Sequence, residues 1–565
     1  MYVTKIPNRG GTPTTLLRES YREDGRVKNR TLANLSKVPA HALDALQRAL
    51  KGDTLVAAAD AFEIERSVHH GHVDAALTAI RHLGLDRLIA SRRCRERDLV
   101  MAMITSRLVA PGSKLKTTRW LNTTSLADTL GVADASEDEM YAAMDWLVER
   151  QPAIEKRLAA RHLQACGLVL YDLTSTWVEG RCNELAARGY SRDGKKGKLQ
   201  VNFGLLTDGD GRPVCVSVYR GNTADPSTVQ DQVKKIRDEF DIDLVVFVGD
   251  RGMVTQTQID RFVEQGGVEW ISALKSGALR KLHTEGSLQL GLFDEKNLFE
   301  FASPQYPDER LVACRNAELA IRRAKKRRSL IDATNKELDQ IQRSVSAGRL
   351  SGKAEIGLRV GKVINKYKVA KHFKLSIDSH SFRHQVRQER VAAEAALDGI
   401  YIIRTSVGAD AMSAEDTVRH YKRLARVEKS FRSMKTVDLH VRPIYHYTER
   451  RVRAHIFLCM LAYYVEWHLR HVWSSLLFAN EVETLDTRDP VAAARPTPVG
   501  RRKAALKVTA DGLPVHSFKS LLEHLSTIVR NHCRRVDAPT GEAGWVMTTQ
   551  ADALCRRAFD LIKRL

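Results

Sequence analysis

Two aspartates of this chain each follow a short apolar run with the length and composition of a buried β-strand. Residues 168–171 precede Asp172, and residues 244–248 come just before Asp250. A carboxylate at the end of such a strand is rigidly held and still reachable, and α/β sheets commonly present catalytic acids in this way. If both strands belong to one sheet, the two carboxylates can converge at one edge. The alternative is that each aspartate is only a turn residue or a helix N-cap.

A third acidic residue lies on a predicted helix over residues 421–435. Tyr421, Glu428 and Lys435 recur at intervals of seven, which places them on one face of the helix. Apolar residues that could pack this helix lie beside them: Leu424, Val427 and Phe431. A lone glutamate on a helix is usually solvated. A glutamate flanked by tyrosine and lysine on one face indicates a functional site more strongly.

The apolar pattern predicts the elements that would hold these residues. Strands at 200–206 and 213–219 follow the first aspartate and form an antiparallel meander with its strand. A helix near 227–240, the Asp250 strand, another helix and a strand at 268–274 come next. Three meander strands followed by strand, helix and strand make an α/β layout of the RNase H type.

The fold class predicted for the 565 residues is therefore α+β or α/β, with an RNase H-like mixed sheet flanked by helices. An insertion domain interrupts the sheet domain, and a helical region precedes it. The predicted segments are a small β-hairpin region at 1–40, a helical DNA-binding domain at 41–165, a first catalytic part at 166–275, an insertion with a basic helical hairpin at 276–395, a second catalytic part with the Glu428 helix at 396–475, and a linker with a C-terminal helical region at 476–565.

The charge of the chain indicates a polyanionic partner. Lys and Arg number 90 against 68 Asp and Glu, a formal net charge of +22 that favours nucleic acid first and an anionic membrane second. The densest basic run, residues 322–328, lies on a predicted helix over 315–348 whose Ile331, Leu338 and Val345 form a coiled-coil-like seam. Six cations in seven residues favour a phosphate backbone, the alternative being a solvated helix face.

The cysteine and hydropathy patterns indicate a cytoplasmic protein associated with the nucleoid and without a membrane partner. The eight cysteines are scattered and form no Cys-x-x-Cys pair, which argues against a zinc site of that spacing and for buried thiols in a reducing compartment. The start of the chain has no apolar signal core. The longest apolar run, 456–465, is too short to span a bilayer and is typical of a buried core helix.

Taken together, the motifs resemble those of the DDE transposases of bacterial insertion sequences. The resemblance covers about residues 1–475 and is to the branch with a Tyr–Arg–Glu–Lys signature and an insertion before the catalytic glutamate. The residues that carry it are Asp172 in Tyr-Asp-Leu-Thr-Ser-Thr, Gly-Tyr-Ser-Arg at 189–192, Gly-Asn-Thr-x-Asp ending at Asp225, Gly-Asp-Arg-Gly-Met around Asp250, and Tyr421-x6-Glu428-x6-Lys435 followed by Leu-His-Val-Arg-Pro-Ile-Tyr-His at 439–446.

This resemblance implies an RNase H-like catalytic domain in which Asp172, Asp250 and Glu428 are the catalytic residues and metal ligands. Three carboxylates repel one another unless cations join them, and two divalent ions, Mg²⁺ or Mn²⁺, would relieve that repulsion. The residues expected to contact DNA phosphates are Tyr421, Lys435, Arg432 and Arg251. The activity implied is hydrolysis of phosphodiester bonds at the ends of an insertion sequence, followed by strand transfer into target DNA. The partner is then double-stranded DNA, held by a homodimer because two ends must be joined.

Two departures from the family pattern leave alternatives open. The position of the signature arginine is occupied by Leu424, and the two candidates to take its place are Arg423 and Arg426. Related enzymes can use a hairpin intermediate in which a tryptophan of the insertion stacks on a flipped base, but no tryptophan lies between Trp270 and Trp467. Either the hairpin route is not used or another aromatic residue replaces the tryptophan, for example Tyr306, Tyr367 or Phe373.

Two other classes of protein compete with this interpretation. A phosphatase of the haloacid-dehalogenase type has similar aspartate strands, but that family needs a second acid where Thr174 stands and often has one where Val254 stands. Such a phosphatase would also explain neither the charge of +22 nor the Glu428 helix. The second alternative is a catalytically inactive DNA-binding protein derived from a transposase. All three acids are present, which favours the active enzyme.

Overall fold

A computed structural model describes residues 1–8, 11–53, 55, 61–164, 167–478, 481–482, 488–536 and 543–565. Cys166, the first turn predicted around residues 9–10 and part of the predicted linker lie outside the described residues. The strands are β1 (Tyr2–Asn8), β2 (Gly11–Glu23), β3 (Arg26–Asn34), β4 (Phe62–His69), β5 (Gly167–Trp177), β6 (Gln200–Asp208), β7 (Pro213–Arg220), β8 (Val245–Val248), β9 (Val268–Ala273), β10 (Leu298–Phe301), β11 (Arg310–Arg315), β12 (Phe373–Ile377), β13 (Phe382–Val386), β14 (Ile400–Thr405), β15 (Val529–Arg535) and β16 (Trp545–Thr548).

The α-helices alternate with these strands and dominate the segments before and after the sheet. They are α1 (Ala40–Leu50), α2 (Gly71–His82), α3 (Leu85–Ile89), α4 (Arg95–Val109), α5 (Lys114–Leu121), α6 (Leu126–Leu130), α7 (Glu137–Glu149), α8 (Gln151–His162), α9 (Val229–Lys234), α10 (Gln256–Gln265), α11 (Ser276–Thr284), α12 (Ala317–Ser346), α13 (Lys353–Tyr367), α14 (Gln388–Ala395), α15 (Ala414–Lys422), α16 (Leu424–Arg432), α17 (Glu449–Val472), α18 (Pro498–Leu506), α19 (Phe518–Leu525) and α20 (Ala553–Ile562). No helix among the described residues is long and apolar enough to cross a membrane.

The chain forms two compact units. The first contains residues 1–68 and 529–549, with the antiparallel sheet β1-β2-β3, the helix α1 and a second sheet in the order β16-β15-β4. The second contains residues 69–528 and 550–565. The chain therefore leaves the second unit once, between α19 and α20, to supply two strands to the first.

The second unit is built on an eight-stranded mixed sheet in the order β10-β11-β14-β9-β8-β5-β6-β7. The strands β5, β6 and β7 pair antiparallel as a meander, whereas β8 runs parallel to β5 and β9 parallel to β8. The helix α9 connects β7 to β8, and α10 connects β8 to β9. A three-stranded meander continued by two parallel strands beside its first strand is the RNase H-like topology, so the predicted fold class is confirmed.

The register between β5 and β8 determines where the two aspartates stand. Leu170 pairs with Val248, so Asp172 and Asp250 each lie two residues beyond the last paired position. The strand β5 itself continues past Asp172, which lies opposite Leu205 of β6. The prediction that the first strand ends at its aspartate is therefore wrong. The long β6 gives β5 hydrogen-bonding partners well beyond the point where the short β8 stops.

The insertion extends the same sheet at the edge opposite β7. The strand β14 pairs antiparallel with β9, and β11 and β10 follow outward. Between β11 and β14 the helices α12 and α13 form a hairpin with its own apolar core, in which Leu338 and Val345 join Ile356 and Val360. The seam predicted for the long basic helix is confirmed.

The buried helix α17 connects the N-terminal helices to the sheet. It packs against α4, α7 and β7, and its central residues 456–465 are all buried. One apolar cluster runs from α2 through the sheet to α20. The core-helix interpretation of the longest apolar run is confirmed.

Three local predictions are wrong. The predicted N-terminal hairpin is a three-stranded sheet, and strands β4, β15 and β16 occur in segments predicted as helical. The predicted helix over 421–435 is also interrupted, because α15 ends at Lys422, α16 begins at Leu424 and a π-helical turn over Ser433–Val437 carries Lys435. Spacing by seven alone therefore does not place its three functional residues on one face.

The buried position of α17 predicts a large stability cost for truncating its side chains. Leu461 is fully buried, and Leu461→Ala should lower the free energy of unfolding by about 2–5 kcal/mol through lost burial and a residual cavity. Urea unfolding followed by tryptophan fluorescence measures the change. The matched control is Leu358→Ala on α13, where leucine is 55 % exposed and the expected change is below about 0.5 kcal/mol. Equal losses in both variants would contradict the core assignment of α17.

Candidate active site

Asp172 stands half-buried on β5 at the level where β8 ends. One carboxylate oxygen, Oδ1, accepts a hydrogen bond of 2.8 Å from the backbone N–H of Leu173. Burial first, and then the negative charges of Asp250 and Glu428, together raise the pKa of Asp172 to about 7, and the Leu173 hydrogen bond opposes this rise. The structure thus brings all three sequence-predicted acids within electrostatic range of one another.

Asp250 is exposed in the tight turn that follows β8. Its backbone carbonyl accepts hydrogen bonds from the N–H groups of Met253 and Val254, at 2.9 and 3.1 Å. A Cβ at Gly249 would lie only 2.7 Å from Cγ2 of Val254. Glycine, which has no Cβ, therefore allows the strand and the turn to lie this close together. The neighbouring strand holds the glycine in place, because the Ser272 hydroxyl donates to its carbonyl oxygen at 3.0 Å.

Glu428 reaches the site from α16, which packs on β5. Val427 and Phe431 face the core, and the ring of Phe431 meets that of Phe203 edge to face with centroids 5.5 Å apart. The opposite face of this strongly amphipathic helix is exposed and carries Glu428. The helix is anchored by its apolar face, which leaves the carboxylate accessible.

Tyr421 and Arg251 join the acidic group. The Tyr421 phenol lies near the Asp250 carboxylate, and burial followed by the charge of Asp250 raises the pKa of the phenol. The positive charge of Arg251 opposes that rise, so its guanidinium also lies near the phenol. Two of the four residues predicted to contact phosphate, Tyr421 and Arg251, therefore lie near Asp250.

Lys435 lies near the acids but is engaged with protein partners. Its ammonium donates to Oγ1 of Thr174, two residues along β5 from Asp172, and to Oδ1 of Asp193 at 2.9 Å. The same carboxylate oxygen pairs with Arg442. Burial lowers the pKa of Lys435, and Asp193 opposes this effect. Lys435 thus fastens the 189–198 loop to β5.

The remaining arginines have different surroundings. Arg426 donates to the carbonyl oxygen of Gly209 and to Asp210, each at 2.7 Å, so it is bound to the turn between β6 and β7. Arg432 is exposed, and its charge acts on the neighbouring Lys429. Arg423 and Arg426 are both candidates to replace the signature arginine. Phe373 is buried in the insertion core, which excludes it as the aromatic that stacks on a base.

Sequence reasoning did not include Arg192 among the site residues. Its positive charge lowers the pKa of Asp172, it forms an ion pair with Asp225, and its backbone N–H donates to the Ser175 hydroxyl at 2.9 Å. Two of the quoted motifs meet in the ion pair of Arg192 and Asp225. The presence of both motifs in the sequence was the signal that could have indicated this ion pair. The two residues are 33 positions apart in the chain, so their spacing alone does not predict the contact.

The chain matches two family models, and these define its class. The model described as the transposase DDE domain matches residues 168–465, which is more than half of the chain, so the chain belongs to the DDE transposases. The N-terminal domain of IS1634 family transposases matches residues 2–60. The chain is accordingly a DNA transposase of the bacterial insertion-sequence type, and the predicted enzyme class is confirmed. The phosphatase alternative is wrong.

Comparison with individual proteins adds little to this assignment. A search of curated proteins finds no match. Among solved structures, the chain is similar to a piggyBac transposase in a synaptic complex with hairpin DNA, determined by cryo-EM. The identity is 9 %, the TM-score is 0.34, and the similarity covers 80 % of this chain and 76 % of that one. The family assignment therefore rests on the two family models.

The Asp193 pairing predicts that this carboxylate holds the 189–198 loop in place. The Asp193 side chain is 4 % exposed, and Asp193→Ala leaves Lys435 and Arg442 without their carboxylate. Removing one partner of such a buried pair costs about 3–5 kcal/mol. We expect a lower thermal midpoint and faster tryptic cleavage at the lysines of the loop, read by mass spectrometry.

The control for this experiment is an exposed ion pair on the same loop. The Lys198 ammonium lies 3.1 Å from Glu179, with both side chains largely in solvent. Glu179→Gln should change stability by less than about 1 kcal/mol and leave the cleavage rate unchanged. If Asp193→Ala behaves like this control, the buried pair does not hold the loop.

Proposed function

We propose that this transposase hydrolyses phosphodiester bonds at the ends of its insertion sequence and then transfers the freed strand into target DNA, with Asp172, Asp250 and Glu428 as the catalytic residues. The observation that supports the proposal is that Asp250 and Glu428 lie within electrostatic range of Asp172. Asp172 and Asp250 belong to neighbouring parallel strands, Glu428 lies on a helix packed against β5, and we call this edge of the sheet the rim. Burial is the largest cause of the raised pKa of Asp172, and the negative charges of Asp250 and Glu428 add to it. Such an arrangement suits a site built to hold cations.

Metal dependence is general among DDE transposases, and the donor set of this rim fits it. Three carboxylates offer only oxygen ligands, which hard ions such as Mg²⁺ and Mn²⁺ prefer. We propose two ions, because the oxygens of the three carboxylates do not all come within 4.8 Å of one another and one ion would not reach all of them without movement. Asp172, Asp250 and Glu428 would hold these ions, which would supply activation of the attacking hydroxyl group and stabilisation of the leaving oxygen in an in-line displacement.

The surrounding side chains would position the DNA backbone. Tyr421 and Arg251 lie beside Asp250 and can orient the phosphate next to the scissile bond. Arg192 places positive charge near Asp172, and Lys435 lies at Thr174, two residues along β5, so both can balance the negative charge of the phosphate. Arg432 is exposed on α16 and can contact a phosphate further along the strand.

Double-stranded DNA is the proposed substrate, and the insertion is proposed to bind part of it. Five of the six cations in the basic run on α12 are exposed to solvent, among them Lys325, Lys326 and Arg328. Two others are paired, since Arg327 forms an ion pair with Asp398, and Arg322 with Glu318. A homodimer would hold the two ends together, and its place of action would be the nucleoid in the cytoplasm.

The catalytic assignment predicts that removing one carboxylate abolishes cleavage and leaves DNA binding intact. Glu428→Gln, Asp172→Asn and Asp250→Asn should each lower the rate of nicking at the element's ends by at least about a hundredfold, a loss of about 2.7 kcal/mol of transition-state stabilisation. The assay uses a supercoiled plasmid that carries the ends, with Mg²⁺, and chelation by EDTA should stop the wild-type reaction.

Glu415→Gln is the matched control, because Glu415 is exposed on the preceding helix α15. This variant should nick like the wild type. Equal nicking by Glu428→Gln and the wild type would refute the catalytic assignment. No nicking by the wild type, together with specific binding to the ends, would support the inactive DNA-binding alternative.

The exposed cations of α12 predict a salt-dependent contribution to DNA affinity. Replacing Lys325, Lys326 and Arg328 together by glutamine should lower the slope of log affinity against log salt by roughly 2–3, because each phosphate contact contributes about 0.9. Fluorescence anisotropy over a range of salt concentrations measures the slope. Lys366→Gln is the control, since this lysine on α13 already pairs with Glu337, and a slope loss confined to the triple variant is expected. An unchanged slope in the triple variant would exclude α12 from the DNA interface.

A further inference from the structure

A second group of metal-binding side chains lies between α19 and α20. His524 is in the last turn of α19, Asp552 is the N-cap of α20, and Cys555 is in the first turn of α20. One ligand atom of each lies within 4.8 Å of the others. Among the described residues this is the one group of three His, Cys, Asp or Glu side chains gathered so closely.

The donor atoms of this group differ in kind from those of the catalytic rim. A nitrogen, an oxygen and a sulfur suit zinc or a similar transition metal, whereas Mg²⁺ prefers oxygen alone. Zinc bond lengths of about 2.0–2.3 Å put tetrahedral ligand atoms roughly 3–4 Å apart, so the present spacing needs little adjustment. Cys555 is buried, while His524 and Asp552 are partly exposed and leave a path for an ion.

The side chains are already oriented toward one another. Nε2 of His524 lies 2.7 Å from Oδ2 of Asp552, and Oδ1 of the same carboxylate accepts from the Cys555 backbone N–H at 2.7 Å. A fourth donor is near, because the ring centroid of His516 is 5.5 Å from that of His524. Nδ1 of His516 lies 3.2 Å from the Ser520 hydroxyl, which orients the ring.

We propose that His524, Asp552 and Cys555 bind one zinc ion, with His516 or a water molecule in the fourth position. The ligands lie before and after the segment 529–549, which belongs to the first unit although its neighbours in the chain belong to the second. The ion would therefore connect the points at which the chain leaves the second unit and re-enters it. His524 and Asp552 are 28 residues apart, and a metal that closes a loop of this length restricts the unfolded chain as a cross-link does. Binding replaces the thiol proton of Cys555, which passes to solvent.

The test is a titration of the chelator-treated, full-length protein with Co²⁺, a spectroscopic substitute for zinc. Excess Mg²⁺ is present, so that sites with oxygen ligands alone are filled. We expect about one Co²⁺ per chain with a thiolate-to-cobalt charge-transfer band that Zn²⁺ abolishes. Cys555→Ser should lose the band. Cys182→Ser, which changes an exposed cysteine outside the group, should keep it.

A second variant protects the test against misfolding of Cys555→Ser. His524→Gln alters a partly exposed ligand and should weaken Co²⁺ binding at least about tenfold, with the far-ultraviolet circular dichroism unchanged. A wild type without the band, a band that persists in Cys555→Ser, or an unchanged affinity in His524→Gln would show that the three side chains form a hydrogen-bonded network only. Because the readout is independent of DNA cleavage, failure here and failure of the catalytic assignment are distinguishable.

Discussion

The gathering of three carboxylates near one another is the constraint on which the rest of the proposed catalytic rim depends. Burial raises the pKa of Asp172 most, and the negative charges of Asp250 and Glu428 raise it as well. The three side chains stay close only because the backbone segments that carry them are fixed in position. The parallel pairing of β5 with β8 fixes two of them at one level, and the apolar face of α16 fixes the third.

The positive side chains around the rim are also fixed in position, by ion pairs with other acidic residues. Asp193 binds both Lys435 and Arg442, and the guanidinium of Arg442 also lies over the ring of Trp177 with its carbon 4.9 Å from the centroid. Asp225 holds Arg192. Acidic residues away from the rim thus position the cations that face it. The carboxylates of the rim and the positive side chains around them therefore belong to one network of charges.

The insertion is accommodated because it adds to the sheet at an edge remote from β5. The strand β14 pairs with β9, and the helices α12 and α13 have an apolar core of their own. Most of this architecture was predictable, since strands β5 to β9, the long helix α12 and the core helix α17 each show their own hydrophobic period. The strands β4, β15 and β16 were not predictable, because β15 pairs with β4 across more than 400 residues of chain and no local pattern reports that pairing.

By itself, the sequence determined the buried strands before Asp172 and Asp250, the amphipathic helix of Glu428 and the excess of basic residues, because each is a local property of composition and spacing. Tertiary structure alone decided that these three acids meet, that β5 continues past Asp172, and that Lys435 is paired with Asp193. It also brought His524 to Asp552 and Cys555. These contacts depend on strand register and helix packing between distant segments, which sequence spacing does not encode.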